Sequence, residues 1–126
     1  MDIRQGIDIT NVRRMREAIE RRGERFIQRI FTADERAYCE SKRMKYEHYA
    51  ARFAAKEALM KAVEVKRKDR YRFREIEVRR YPTGKPFIFL KDIMYQRFQL
   101  PRNAQIELSM AHERDQAIAV VLIVMP

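Results

Sequence analysis

The sequence lacks the features that mark secreted and membrane proteins. Its 126 residues include a single cysteine, Cys39, which can form neither an internal disulfide nor a thiolate metal cluster. No apolar run is long enough to cross a bilayer, and charges from Asp2 onward argue against a secretory signal. Repeats, low-complexity tracts and evident linkers are also missing, which indicates one domain over residues 1–126. We therefore expect a single-domain protein of the reducing cytoplasm.

Positive charge dominates what the sequence does contain. Lysine and arginine outnumber aspartate and glutamate by 28 to 18, which gives a formal net charge of +10. Such an excess predicts an anionic partner: a nucleic acid, a phosphorylated small molecule, an anionic lipid or an acidic protein. Hydrophobic residues still make up 46% of the chain, which excludes general disorder.

Hydrophobic periodicity predicts a mixture of strands and helices. "DIRQGIDI" at 2–9 alternates like a strand, and the helical pattern at 11–22 places Val12, Met15 and Ile19 inward. Further helices are predicted at 24–30, after a capping box formed by Thr32 and Glu35, at 46–64 and at 91–99. Further strands are predicted at 73–80 and 86–90, joined by a turn at "PTGK", and in "AQIELSM" and "QAIAVVLIV". This order indicates an α+β fold with one long helix packed on an antiparallel sheet.

The long helix contains "RFAAKEALMK" at 52–61, which brings two opposite charges onto one stripe. At about 100° per residue, Glu57 and Lys61 share this stripe with alanines, whereas Arg52 and Lys56 point the other way. The alanines are Ala50, Ala51, Ala54, Ala58 and Ala62. One interpretation is an ordinary i,i+4 ion pair, worth about 0.2–0.5 kcal/mol. The other is that the small neighbours leave room for a metal ion and a phosphate.

A second carboxylate with a small neighbour lies in the first strand. Gly6 and Asp8 share one face of that strand, and the glycine is expected to leave space beside the Asp8 carboxylate. Asp8 is also compatible with a turn or cap role before the first helix. Together with Glu57 it would form an all-oxygen site, and magnesium is typically held by one or two carboxylates plus waters and substrate phosphates. The two carboxylates therefore suggest a metal-bridged phosphate site.

Four segments, taken together, resemble a known enzyme family. They are "GID" at 6–8, "FAAKEALMK" at 53–61, "PTGKP" at 82–86 and "LSMAHE" at 108–113. In this order, over essentially the whole chain, they resemble the small, trimeric 4'-phosphopantetheinyl transferases. The resemblance implies an α+β homotrimer with active sites at subunit interfaces. It also implies Mg²⁺-dependent transfer of phosphopantetheine from coenzyme A to a serine of an acidic acyl carrier protein, releasing 3',5'-ADP, in fatty acid or related biosynthesis.

The resemblance assigns roles to individual residues. Asp8 and Glu57 would bind magnesium, and Lys61 would lie beside the pyrophosphate, where metal and ammonium stabilise developing charge. Either Glu57 or a water on the metal would take the proton of the attacking serine. Coenzyme A contacts are expected from Arg52, Lys61, Gly84, Pro86, Ser109 and His112. Read without the resemblance, His112 is a surface residue of a hairpin and Ser109 an ordinary strand hydroxyl.

The sequence departs from the family pattern in two places. Arg4 stands where the first strand usually carries another glycine. The helix that contains Lys61 usually runs into a glycine-rich loop, whereas residues 64–74 contain no glycine and carry six basic residues against two acidic ones. The side chains of Lys66, Arg67, Lys68 and Arg70 would either replace backbone contacts to phosphate, prolong the helix, or form a solvated basic turn.

The first helix offers a docking surface for an acidic partner. Residues 11–25 contain six arginines and three glutamates, a net charge of +3. The family docks its carrier protein on this helix, and Arg14, Arg21 and Arg25 are the expected salt-bridge residues, with Met15 as an apolar contact. Their collective field would speed the encounter and weaken with salt. The alternative is that each arginine simply solvates an exposed face.

Two other functions are compatible with parts of the sequence. A small nucleic-acid-binding protein would explain the net charge and the basic residues after position 65. It would not explain carboxylates placed among glycine and alanine, and the sequence has no helix-turn-helix or zinc-finger spacing. A second alternative is a protein that keeps this fold but has lost transfer activity or serves a specialised carrier protein.

Overall fold

The structure, a computed structural model, describes residues 1–63 and 72–126. The helices in this part of the chain are α1 (Val12–Arg22), α2 (Glu24–Ile30), α3 (Ala33–Glu40), α4 (Lys45–Ala62) and α5 (Asp92–Arg97). The strands are β1 (Asp2–Asn11), β2 (Ile76–Arg80), β3 (Pro86–Leu90), β4 (Gln105–His112) and β5 (Gln116–Met125). A short 3-10 turn, Phe73–Glu75, precedes β2.

The strands form two antiparallel sheets, and the long helix α4 lies across the larger one. The three-stranded sheet has the order β1-β5-β4, and β2 pairs with β3 in a separate two-stranded sheet. Helix α4 contacts both β1 and β5. The predicted α+β fold, a long helix packed on an antiparallel sheet, is confirmed. None of the helices in the described ranges is long and apolar enough to cross a membrane.

One face of the three-stranded sheet is covered and the other is open. Gly6 and Asp8 of β1 are both turned toward α4, because residues two positions apart in a strand point to the same face of the sheet. The residues between and beside them point away from α4 and keep large exposed fractions. We use the name open sheet face for its exposed aliphatic patch on β1 and β5, which is formed by Ile3, Ile7, Ile9 and Val120; the polar Ser109 and Glu107 lie beside it on β4.

Helix α1 begins and ends where its sequence predicts. The side chain of Asn11 caps the helix by accepting a 2.9 Å hydrogen bond from the backbone N–H of Arg14. Val12, Met15 and Ile19 are buried, as the 3.6-residue period predicts. The helix stops at Gly23, whose φ of 67° favours glycine.

The capping box at the start of α3 is confirmed. The hydroxyl of Thr32 accepts from the backbone N–H of Glu35 at 3.2 Å, and the Glu35 carboxylate accepts from the backbone N–H of Thr32 at 2.9 Å. Glu35 is also buried, which the capping pattern does not predict.

The alanines of α4 bring the helix close to the sheet instead of leaving room for a ligand. All five alanines of the stripe are buried. A Cβ atom built on Gly6 would lie 2.0 Å from the carbonyl oxygen of Ala58, so the helix backbone occupies the space that we expected beside Asp8. The expectation of open space at Gly6 is therefore wrong, because the glycine is needed for close packing of β1 against α4.

The opposite side of α4 is also buried. Arg52 and Lys56 point away from the sheet as predicted, but they are 1% and 0% exposed. The ammonium of Lys56 donates to the carbonyl oxygens of Ile30 and Phe73 and to the carboxylate of Glu35. The end of α2, the start of α3 and the 3-10 turn thus form a second layer over this side of the helix.

The remaining differences concern the ends of elements. The strand predicted from residue 73 begins at Ile76, because residues 73–75 form the 3-10 turn. Helix α5 covers Asp92–Arg97 within the predicted range 91–99. The predictions for Lys66, Arg67, Lys68 and Arg70 lie outside the described residues.

Candidate active site

Asp8 and Glu57 line the same cavity, which has a volume of about 410 Å³. Asp8 lies near the end of β1, and Glu57 lies in the second half of α4. The rest of the cavity wall comes from the end of β1, from α1, α2 and β5, and from Phe53 on α4. The structure therefore brings together the two carboxylates that the sequence predicts as a pair.

Lys61 pairs with Asp8 rather than with Glu57. Its ammonium donates to Oδ1 of Asp8 at 3.1 Å and to the carbonyl oxygen of Ile7 at 3.0 Å. Thr10 donates from its hydroxyl to Oδ2 of Asp8 at 2.9 Å. In the described part of the chain, the i,i+4 ion pair between Glu57 and Lys61 does not form. The first interpretation of the charged stripe is therefore wrong, and Lys61 connects α4 to β1.

The electrostatics of this cavity suit a divalent cation. Burial, and then the negative charge of Asp8, raises the pKa of Glu57, although Lys61 acts in the opposite direction. A cation between the carboxylates would offset this repulsion, and an all-oxygen donor set fits Mg²⁺. The described residues contain no cluster of three or more Asp, Glu, His or Cys side chains suited to a metal. Asp8 and Glu57 would hold the ion, and waters or substrate phosphates would supply the other ligands.

Helix α1 contributes a basic side chain, Arg14, to the wall of the same cavity. Arg14 lines it together with Met15 and Ala18. Arg25 lines a neighbouring cavity of about 780 Å³ whose other residues include Arg22, Arg29 and Arg74, and Arg21 is exposed on the same helix as Arg14. The apolar contact expected of Met15 is not on the outer surface, because Met15 is 4% exposed and packs into the core beneath α1.

Arg52 and His112 meet in a second cluster of polar side chains. The guanidinium carbon of Arg52 lies 4.1 Å from the ring centroid of Tyr38, and Nη1 of Arg52 donates a long, 3.5 Å hydrogen bond to the carbonyl oxygen of His48. The rings of His48 and His112 pack edge to face at 4.8 Å. Nδ1 of His112 lies 2.8 Å from Oε1 of Glu47. Two predicted coenzyme A contacts are thus brought together by α4 and the end of β4.

This second cluster is strongly basic. Burial, followed by the charges of its basic neighbours, lowers the pKa of His48 to about 4. We call these neighbours the basic cluster: His112, Arg52, Lys42 and Arg80. Nε of Arg52 is buried and has no hydrogen-bond partner among the described residues. A buried unsatisfied donor is costly, and an anionic ligand is one way to satisfy it.

The other predicted coenzyme A contacts lie on the surface. Gly84, with a φ of 93°, forms the turn between β2 and β3, Pro86 opens β3, and Ser109 is exposed on β4. None of these three, nor Arg52 or His112, is among the described residues that line the cavity of Asp8 and Glu57. Within one chain, the predicted site residues therefore fall into separate groups.

Among the cavity residues that the sequence analysis did not name, two lie beside the carboxylates. Thr10 orients the Asp8 carboxylate, and Phe53 forms part of the wall beside Glu57. Both could have been found from periodicity alone. Thr10 follows Asp8 by two residues and so shares its strand face, and Phe53 precedes Glu57 by four residues and so shares its helix face.

The chain is similar to known proteins over nearly its whole length. The sequence profile of the 4'-phosphopantetheinyl transferase superfamily matches residues 4–121. The holo-[acyl-carrier-protein] synthase of Solibacter usitatus is 39% identical over 123 residues, which cover 98% of each chain. That of Halothermothrix orenii is 40% identical over 117 residues, 93% of each chain.

Solved structures show the same fold. An ACPS–CoA complex from Chronobacterium ammoniagenes superimposes with a TM-score of 0.85 and 28% identity, covering 100% of this chain and 99% of that one. The Helicobacter pylori holo-[acyl-carrier-protein] synthase in complex with coenzyme A gives 0.81 and 30%, covering 95% and 99%.

The chain therefore belongs to the 4'-phosphopantetheinyl transferase superfamily. Within this superfamily it is an enzyme of the holo-[acyl-carrier-protein] synthase type, in line with the relatives that match nearly its whole length.

Proposed function

We propose that this enzyme transfers the 4'-phosphopantetheine group from coenzyme A to a serine of an apo acyl carrier protein, with Mg²⁺, and releases 3',5'-ADP. The observation that supports this most directly is the cavity in which Asp8, Glu57 and Arg14 meet, with Lys61 bonded to Asp8. Two of its structural relatives are described as complexes with coenzyme A. The cytoplasm, and fatty acid or related biosynthesis within it, is the proposed setting.

The cavity residues divide the chemistry among them. Mg²⁺ held by Asp8 and Glu57 would supply Lewis-acid stabilisation of the pyrophosphate. Lys61 places its ammonium beside Asp8, where it can neutralise charge that develops on phosphate oxygens. Asp8 is engaged by Thr10 and Lys61, whereas no hydrogen bond to Glu57 comes from the described part of the chain. Glu57 is therefore the side chain in the cavity best placed to accept the proton of the attacking serine.

The two groups of site residues support a site shared between copies of the chain. We call the cavity of Asp8 and Glu57 the carboxylate cavity, and in this proposal it holds the pyrophosphate of coenzyme A. The basic cluster would bind the other phosphates of the nucleotide through Arg52 and His112. These two residues do not line the carboxylate cavity of the same chain. A neighbouring subunit would supply the missing group, and a closed arrangement of three copies would repeat the site three times. The open sheet face is apolar, and aliphatic faces of this kind are normally buried in an interface. We therefore assign the enzyme a homotrimeric assembly.

The test is a transfer assay with three components. The protein is incubated with coenzyme A, MgCl₂ and an apo acyl carrier protein, and the carrier is then weighed by mass spectrometry. We expect a mass gain of one phosphopantetheine group and the appearance of 3',5'-ADP. A carrier whose acceptor serine is replaced by alanine, and a reaction with excess EDTA, should show no gain. An unmodified carrier in the complete reaction, across several carrier proteins, would contradict the proposed function.

A further inference from the structure

A buried ammonium connects the middle of α4 to the layer over its outer side. Lys56 is fully buried, and its Nζ lies 2.7 Å from Oε1 of Glu35. The same Nζ donates to the carbonyl oxygen of Ile30 at 2.7 Å and to that of Phe73 at 3.0 Å. A lysine ammonium has three N–H donors, so this one is fully satisfied.

The partner carboxylate is equally well connected. Glu35 accepts from the backbone N–H of Thr32 at 2.9 Å and from the backbone N–H of Val78 at 2.8 Å. Through Glu35 and Lys56, five elements meet at one buried point: α2, α3, α4, the 3-10 turn and β2. The α2–α3 segment, the middle of α4, and the 3-10 turn with β2 are separated in sequence, so the pair fixes relative positions that local structure cannot fix.

Stability alone does not account for such a pair. Burial lowers the pKa of Lys56, and the attraction of Glu35 works against that effect. Replacing a buried ion pair by apolar residues of similar volume is often neutral or stabilising. The contribution of Glu35 and Lys56 therefore lies in the geometry that their directed hydrogen bonds impose.

The geometry they impose reaches the carboxylate cavity. Lys56 holds the carbonyl of Phe73, whose ring packs against the ring of Phe53 with centroids 5.4 Å apart. Phe53 in turn lines the cavity that contains Asp8 and Glu57. A continuous chain of contacts thus runs from the buried ammonium to the cavity wall.

We propose that Glu35 and Lys56 form a positioning pair, which fixes Phe73 and thereby holds Phe53 in the cavity wall beside Glu57. The kinetic consequence rests on the proposed transfer function, whereas the structural consequence does not. Neither residue touches the cavity itself, so the pair acts through Phe73 and Phe53 and not on the reacting groups.

The test replaces the pair by neutral side chains of similar size, in the double variant Glu35→Gln/Lys56→Met. The two backbone N–H groups bind different oxygens of Glu35, so glutamine keeps an acceptor for one of them, and methionine keeps the volume of lysine. In a crystal structure of this variant we expect the Phe53–Phe73 centroid distance to exceed 5.4 Å. Its kcat should fall about tenfold while KM for coenzyme A stays within about twofold. The reason is that a misplaced Phe53 ring mainly affects how the bound substrates are oriented for the reaction.

Two further variants separate positioning from a loss of stability. Ile123→Ala opens a void in β5, on the covered face of the three-stranded sheet, and assayed well below its melting temperature it should keep the wild-type kcat. Phe73→Leu keeps the ion pair but removes the ring contact, and it should lower kcat as the double variant does. The two effects should not add when all three substitutions are combined, because they act through the same contact.

The outcomes are distinct. An unchanged Phe53–Phe73 contact with full activity in the double variant would overturn the proposal, as would an equal fall of kcat in Ile123→Ala. If the double variant does not fold, full kcat in Phe73→Leu overturns it and reduced kcat supports it. A wild-type enzyme without transfer activity would contradict the proposed function, and the ring distance would still decide whether the pair positions Phe53.

Discussion

At the scale of single residues, the same chemical group has different properties in different surroundings. Asp8 accepts hydrogen bonds from Thr10 and Lys61, whereas Glu57 accepts none from the described residues and has a raised pKa. The like charge of Asp8 contributes to that shift. Both side chains line a cavity, so truncating either would remove a proposed metal ligand without opening a large void in the core.

The first prediction concerns these carboxylates. Asp8→Ala and Glu57→Ala should each lower transfer activity by about 100-fold or more, because each deletes charge that holds Mg²⁺ beside the phosphates. Added Mg²⁺ should raise the melting temperature of the wild type but not that of either variant. Glu20→Ala removes an exposed carboxylate elsewhere and should keep full activity. Near-normal turnover of both site variants at limiting magnesium would show that the two-carboxylate site is wrong.

The second prediction concerns pH and stability at His48. Its pKa is lowered to about 4 from an ordinary value of 6.5, so between these values the unfolded chain binds a proton that the native chain does not. His48 therefore contributes stability that is fully present above about pH 6.5 and is lost as the pH falls toward 4. The variant His48→Gln should flatten the dependence of the unfolding free energy on pH between about pH 4 and 6.5, and leave its slope above pH 7 unchanged. Urea unfolding at several pH values measures this, and parallel curves would refute the assignment.

At the scale of elements, the sequence predicted what short-range patterns determine. The inward residues of α1, its end before Gly23, and the capping box at Thr32 and Glu35 all follow from rules that span a few residues. The pairing of Asp8 with Glu57 could also be anticipated, because both carboxylates have small neighbours on their own element.

What the sequence did not predict depends on which surfaces meet. The periodicity of α4 correctly separates Lys56 from the alanine stripe, but it cannot reveal that a second layer covers that side. For the same reason Gly6 was expected to border open space, although the backbone at Ala58 fills it. The partners of Lys56 come from residues 17 to 26 positions away, beyond the reach of helical or strand periodicity.

A third prediction belongs to helix α1 as a docking element. Arg14→Glu should raise KM for the carrier protein about tenfold and flatten its salt dependence, with little change in KM for coenzyme A. The matched control is Arg13→Glu, which makes the same charge change at an exposed residue outside the carboxylate cavity. The control should have the smaller effect, since Arg14 alone of the two lines the cavity. If Arg14→Glu lowered kcat/KM equally for coenzyme A and for the carrier protein, the result would instead indicate a role in the chemistry.

At the scale of the whole molecule, charge and apolar surface point to different partners. The net charge of +10 suits an acidic carrier protein and a nucleotide substrate, which both associate faster in a positive field. The open sheet face, by contrast, presents uncharged aliphatic side chains, and a charged carrier would gain little there. Register supports one continuous patch, because Ile7 pairs directly with Val120 in the antiparallel ladder. This face therefore fits a second copy of the chain.

The last prediction tests the homotrimer through this face. Light scattering or native mass spectrometry should find three copies in the wild type, and Ile7→Glu should yield a folded monomer, because a charge at the interface would be buried without a partner. Ile93→Glu places the same charge on α5, at an isoleucine that is exposed outside the open sheet face, and should remain trimeric. Activity should fall with assembly in Ile7→Glu, since the site would lose the His112 side of the basic cluster that a neighbour is proposed to supply. A fully active monomer at assay concentration would contradict the shared site even if the transfer chemistry is correct.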